Sequence, residues 1–258
     1  MIIVVIIEFK NKKQYDFDIY FFNIGKADSI IIRNKNKYIM IDTGYEENHT
    51  EILSYLEKHN ITKIDYLIIT HFDKDHVGSA SYIIDNIEVS NVLQNNSPKD
   101  SIYYNNYLES LNNKNIIPIK VEDNYSFDLE DMKVLVEGTK NIYEKNTSNN
   151  NSLITKIWYK NNSFLFLGDT ENARLKDFVS ENTNKFDFIK VPYHGRYLKR
   201  IDELLENTNP KYGVITSSYD EDNNETIKEL TKYNVKTYLT RNGSINIYSD
   251  GNNIIIKQ

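Results

Sequence analysis

Apolar positions in the first part of the chain fall into short runs broken by polar turns. Asp18 to Ile24, Ser29 to Arg33 and Lys37 to Ile41 read as β-strands separated by "GKAD" and "NKNK". From Glu47 to His59 the spacing becomes helical, with Ile52, Leu53 and Leu56 on one side and Asn48 or Thr50 placed as cap. The strand Ile64 to Ile69 follows. Downstream, strands and helices alternate: a helix from about Ser79, a strand Val89 to Leu93, a helix Tyr103 to Leu111, and strands Ile116 to Val121 and Met132 to Glu137. "NTSNNN" (146–151) predicts a polar loop, and Leu153 to Tyr159 with Phe164 to Leu167 a hairpin across "KNNS". "GDT" then opens a helix to about Ser180, with Thr170 as its cap.

The last third predicts a strand Phe186 to Val191, a short helix Ile201 to Glu206, a strand Tyr212 to Thr216 and a helix Glu225 to Tyr233. Val235 to Thr240 and Ser244 to Tyr248 are expected as a hairpin joined by "RNG", before a final strand Ile254 to Lys257. The opening "MIIVVIIEFK" is too short to span a bilayer and has neither a basic lead-in nor a small-residue cleavage site, so it also reads as a strand. Strands followed by helices in each half predict an α/β fold. Its helices lie on the outer faces of two sheets, and its loops gather along one edge.

Composition adds bounds. The 258 residues contain no stretch resembling a linker, so one domain over 1–258 is expected, and 40% hydrophobic residues can fill its core. The formal charge of −6 means that the net field does not attract polyanions; affinity for nucleic acid requires a local basic patch or bound metal. The absence of cysteine excludes disulfides, thiolate metal sites and a cysteine nucleophile. With no spanning segment or leader, the expected location is cytoplasmic with no membrane partner. The oligomeric state stays open.

One segment concentrates the chemistry. In "LIITHFDKDHVGSA" an apolar strand runs into His71, Asp73, Asp75 and His76, with Gly78 close behind. A lone His-x-Asp in a loop is usually a solvated turn, but here four ligand-type side chains crowd one strand end. Imidazole nitrogen and carboxylate oxygen suit zinc, manganese or iron. A single ion rarely takes four ligands from six consecutive residues, so two ions sharing the segment would explain the crowding. Two other strands end the same way: "FLFLGD" at Asp169 and "FIKVPYH" at His194. His49 and His59 read as ordinary polar residues of a surface helix.

In this order "IDTG", "THFDKDHVGS", "FLGD" and "VPYHG" resemble the metallo-β-lactamase fold superfamily, specifically its competence-protein (ComEC-type) branch. "FNIGKADSIII" and "NNNSLI" resemble further elements of that branch, and the likeness runs from about Tyr20 to Ile247. The resemblance implies an αββα sandwich of two mixed sheets with two divalent ions, zinc or alternatively manganese, on one loop edge. His71, Asp73 and Asp169 would hold one ion; Asp75, His76, Asp169 and His194 the other; and a hydroxide between them would be the nucleophile. Asp75 could also act as general base. Asp42 is expected to orient a ligand imidazole or the motif loop, unless it is a plain turn carboxylate. The superfamily usually supplies another histidine before the bridging aspartate. This chain has none between His76 and His194, leaving Asn149, Asn151, Ser152 or water for that place.

Behind His194, Arg196, Lys199 and Arg200 would put cations at the rim, while Tyr193 and Tyr197 could stack on a base; the alternative is a solvated helix face. The expected activity is hydrolysis of a small-molecule or nucleic-acid phosphodiester by a phosphodiesterase or nuclease. Alternatives are a hydrolase of a small ester or lactone, and a non-catalytic metal-stabilised binding module.

Overall fold

The structure is a computed structural model that describes residues 15–258 apart from Ile142, Glu144 and Asn146; the opening strand expected before Tyr15 lies outside the described residues. In chain order the strands are β1 (Phe17–Phe21), β2 (Ser29–Asn34), β3 (Lys37–Thr43), β4 (Lys63–Ile69), β5 (Glu88–Gln94), β6 (Ile119–Lys120), β7 (Asn124–Leu129) and β8 (Met132–Glu137). They continue with β9 (Ile154–Tyr159), β10 (Asn162–Phe166), β11 (Phe188–Lys190), β12 (Tyr212–Ile215), β13 (Lys236–Leu239), β14 (Ile245–Ser249) and β15 (Ile254–Lys257). The helices are α1 (His49–Lys58), α2 (Lys74–Val77), α3 (Ala80–Asn86), α4 (Ile102–Asn113), α5 (Thr147–Asn150), α6 (Asn172–Glu181), α7 (Ile201–Thr208) and α8 (Asn224–Lys232).

Two mixed sheets result, ordered β15-β14-β1-β2-β3-β4-β5-β6 and β13-β12-β11-β10-β9-β8-β7. Alternation along each strand decides how they stack. Phe17, Ile19 and Phe21 of β1 share a central core with Phe164, Phe166 and Phe188 from the other sheet. Residues of opposite parity turn outward: Met40, Leu67 and Ile69 pack with Ile52, Leu56 and Ile83 of α1 and α3, and Leu165, Ile189 and Val191 with Leu175, Leu204 and Leu230 of α6, α7 and α8. This is the expected αββα sandwich. Among the described residues no helix is long and apolar enough to cross a membrane.

Each sheet changes from antiparallel to parallel pairing midway, at β3/β4 in one and at β10/β11 in the other. β3, β4, β10, β11 and β12 therefore deliver their carboxyl ends to one edge of the sandwich, where open α/β sheets place ligands.

Several local expectations are corrected. β13 and β14 are not a hairpin: β13 pairs with β12 and β14 with β1, in different sheets, so "RNG" carries a crossover. The strand β7 was not expected; it forms a hairpin with β8. The "NTSNNN" loop contains the single turn α5. Thr170 does not cap α6; the cap position falls on Glu171, and the Arg174 amide donates to Asn150 Oδ1 at 3.1 Å. Asn150, from a neighbouring element, thus satisfies the third helical amide, which no cap side chain reaches.

Candidate metal centre

Two local features shape the first ligand segment. Leaving β4, the chain places Asp73 in extended conformation at the start of the single turn α2, so His71 and Asp73 precede the turn while Asp75 and His76 ride on it. Asp169 leaves β10 after Gly168, which has φ +52°; a Cβ there would lie 3.0 Å from Ser152 and 3.2 Å from Thr70. His194 follows β11 at φ 50°, between Tyr193 and Gly195, which also have positive φ. This left-handed stretch turns the His194 ring back under the loop edge.

The six residues expected as ligands converge. His76 Nε2 lies 3.4 Å from Asp169 Oδ2, and His194 Nε2 lies 3.1 Å from the same oxygen and 3.5 Å from Asp75 Oδ2. Ligand atoms of Asp75, His76, Asp169 and His194 all fall within 4.8 Å of one another. The His71 and His76 rings are 4.0 Å apart between centroids, and His71 Nε2 stands 3.9 Å from Asp73 Oδ1. Asp73 is the loosest of the six; the same Oδ1 accepts from Lys99 Nζ at 2.5 Å and from the Ser148 hydroxyl.

The back of the site is tightly bonded. Asp42 accepts from the Thr70 amide at 2.8 Å and its hydroxyl at 2.7 Å, and Asp42 Oδ2 lies 2.8 Å from His76 Nδ1. His194 Nδ1 is 3.0 Å from the Thr216 carbonyl oxygen, and Thr216 Oγ1 donates to Asp28 Oδ1 at 2.5 Å. Asp28 also pairs with the fully buried Lys190 ammonium, which donates to the Gly168 carbonyl at 3.0 Å. Asp28, Thr216 and Lys190 were missed by sequence reasoning. The available signal was a lysine between Ile189 and Val191 in an apolar strand.

The charge pattern follows from this packing. Burial alone would push the His76 and His194 imidazoles down, but Asp169 together with Asp42 for His76, and with Asp28 for His194, outweighs burial and holds both above the usual histidine range. His71 has less compensation, and burial, helped by His76, pushes it down to about 4. Against burial, which would raise them, the neighbouring histidines hold Asp75 and Asp169 below the usual carboxylate range.

The donor set fits divalent metal. Nε2 of His71, His76 and His194 and Oδ1 of Asp169 are buried without a hydrogen-bond partner. Each such imidazole nitrogen costs about 1–3 kcal/mol, and divalent metal held among these residues would engage them. A second group with metal-sized spacing, Asp28, Asp42 and His76, lies behind the first. Its oxygens are already engaged by Lys190, Thr216, Thr70 and the His76 ring. Of the residues considered for the missing histidine's place, Asn149 lines the cleft with Asp169, Asn151 bonds Ser97 and Thr139, and Ser152 Oγ sits 3.3 Å from His71 Nδ1.

A cleft of about 590 Å³ opens above Asp73, Asp75 and Asp169. Its cations are Lys26, Lys74 and Lys99, with Tyr45 and Tyr193 among its aromatic walls. The rim expected from the His194 loop is only partly there. Arg196 lies over Tyr193, donates to its hydroxyl at 3.1 Å and stands 3.5 Å from Glu221, so it acts on the cleft through Tyr193. Lys199 is exposed and does not line the cleft, and Arg200 is bound to Glu203 at 2.7 Å.

The sequence profile of the metallo-beta-lactamase superfamily matches residues 23–218, which hold all six expected ligands. The chain belongs to the metallo-β-lactamase superfamily. Relatives support the competence-protein branch: ComE operon protein 3 of Bacillus subtilis is 22% identical over 251 residues, covering 86% of this chain and 32% of that protein. Endoribonuclease YSH1 of Candida albicans is 32% identical over 85 residues, 30% of this chain and 9% of that one. The chain thus spans about a third or less of the length of these relatives. Among solved structures, the metallo-beta-lactamase fold protein YhfI of Bacillus subtilis aligns over 95% of this chain and 100% of its own, with TM-score 0.61 and 8% identity. That likeness concerns the fold.

Proposed function

We propose that this superfamily member is a dinuclear metal-dependent hydrolase acting on a phosphodiester. The observation that carries the proposal is the set of buried ligand atoms on His71, His76, His194 and Asp169 without hydrogen-bond partners, beside a cleft that Asp73, Asp75 and Asp169 line together with three lysines. On this reading His71, Asp73 and Asp169 hold one ion, and Asp75, His76, Asp169 and His194 the other. Charge is compatible with divalent ions: Asp73, Asp75 and Asp169 converge there beside Asp28 and Asp42, while Lys190 offsets Asp28 and Lys99 pairs with Asp73. Bound divalent ions would supply a water of lowered pKa and neutralise the oxyanion that develops.

The protein groups do the rest. Asp42 and Thr216 fix the imidazoles of His76 and His194 from behind. Asp75, whose carboxylate reaches the cleft, can orient water and take its proton. Lys26 and Lys74 offer ammonium groups to phosphate oxygens, Lys99 being held by Asp73, and Tyr193 offers a flat face to a base or an apolar group. A basic rim on an acidic protein favours a phosphodiester over a β-lactam, and the nuclease named among the relatives is compatible with it. The test compares hydrolysis of bis-(p-nitrophenyl) phosphate and nitrocefin by manganese- and zinc-loaded protein. The expected outcome is phosphodiester turnover that Asp75→Ala lowers by about 10²-fold or more. Turnover of nitrocefin alone would overturn the substrate assignment, and bound metal without turnover on a broad ester panel would point to a binding module.

A further inference from the structure

Lys190 ends β11 with its side chain 1% exposed, in a place where an apolar residue would cost less to bury. Its Nζ engages the Asp28 carboxylate, donates to the Gly168 carbonyl at 3.0 Å and lies 3.7 Å from Asp169 Oδ1. Asp28 is equally buried and stands 3.5 Å from His194 Nδ1 and 3.9 Å from His76 Nδ1. Were the ammonium missing, Asp28 would present a free oxygen beside His76, within the metal-sized grouping of Asp28, Asp42 and His76. Asp42 cannot reach out in the same way, because three donors hold it. Lys190 is therefore the group that separates two overlapping sets of ligands sharing one histidine.

On the dinuclear reading proposed above, we infer that Lys190 is a positioning residue that serves as the fixed cation of the centre. It removes Asp28 from the ligand set and faces Oδ1 of Asp169, leaving Oδ2 turned to His76 and His194. The ammonium repels any ion held by Asp169, so it also limits how tightly the centre binds. Asp28 offsets that repulsion. The two residues thus act on metal affinity with opposite signs, whereas a purely structural ion pair would not.

The sign is measurable without turnover. Manganese is titrated by calorimetry, at one fixed pH, into the metal-stripped full chain as wild type, Lys190→Met, Asp28→Asn and the double variant. Lys190→Met should bind manganese about tenfold more tightly and Asp28→Asn about tenfold more weakly, with the double variant within about threefold of wild type. If both single variants loosen binding, or neither changes it, the inference is wrong. Should Lys190→Met fail to fold, Asp28→Asn and the double variant decide: removing the lysine must restore affinity lost with the aspartate, and no restoration overturns the inference. Wild-type protein that takes up no manganese or zinc would sink the dinuclear reading itself.

Discussion

Asp42 has a φ of 56°, is fully buried and spends both carboxylate oxygens on fixed partners. Replacing it by asparagine leaves one acceptor oxygen and turns an amide N–H₂ toward donors, so either Thr70 or His76 loses its partner. Asp42→Asn is expected to weaken manganese binding by about 10–100-fold, the usual effect of losing an orienting partner of a ligand histidine. Calorimetric titration against wild type checks this; unchanged affinity would mean that His76 is oriented by packing alone. Asp42 was legible as a candidate because "IDTG" resembles a motif of the superfamily; its position before a glycine, taken alone, reads equally as a turn carboxylate. Asp28 and Lys190 were not, since each matters only through the other: Asp28 precedes β2 of one sheet, Lys190 ends β11 of the other, and they meet only in the folded chain. Lys199 shows the reverse error: sequence proximity to His194 does not bring its side chain to the cleft.

The turn α2 must lie against the segment that follows β3, and Gly78 permits it. A Cβ at Gly78 would fall 2.4 Å from the Lys74 carbonyl, 2.5 Å from the Glu46 amide and 2.7 Å from the Gly44 carbonyl, all backbone atoms that cannot step aside. Gly78→Ala should therefore cost about 1–3 kcal/mol in urea unfolding and displace the Asp75–His76 turn, visible as weaker manganese binding in the folded protein. A variant with wild-type stability would show that the turn can shift freely. Element recognition succeeded where apolar residues run together, as in β2, β4 and β10. It failed for β7, where Asn124, Ser126 and Asp128 alternate with Tyr125, Phe127 and Leu129 in a polar-looking stretch. The β13–β14 link failed because "RNG" is a local turn signal, whereas the sheet each strand joins depends on distant partners.

At the scale of the whole molecule, the buried charges tie stability to pH in the metal-stripped protein. His76 and His194 have folded values raised above 6.5, so their contribution is complete below the unfolded value and is lost as pH rises through the folded one. His71 is pushed the other way, to about 4, so its contribution is present above 6.5 and is lost as pH falls toward 4. Asp75 and Asp169, held low, contribute above the ordinary carboxylate value and lose that contribution only in stronger acid. The melting temperature in chelator should therefore peak near pH 6.5 and decline on the alkaline side. Saturating manganese, which prefers neutral imidazoles, should remove that decline. Melts recorded between about pH 5 and 9 with and without metal test this; a chelated protein equally stable across the alkaline range would contradict it.

The linear sequence by itself determined most of the strands and helices, the two-layer core and which strand ends carry histidine and aspartate, because periodicity and residue chemistry act over a few neighbours. Tertiary structure alone decided which carboxylates are saturated, which cations reach the cleft, and that a buried lysine stands among the acids. Those outcomes depend on side chains from both sheets meeting within a few ångströms, where burial and pairing set their charge. Nothing local in the chain encodes that meeting.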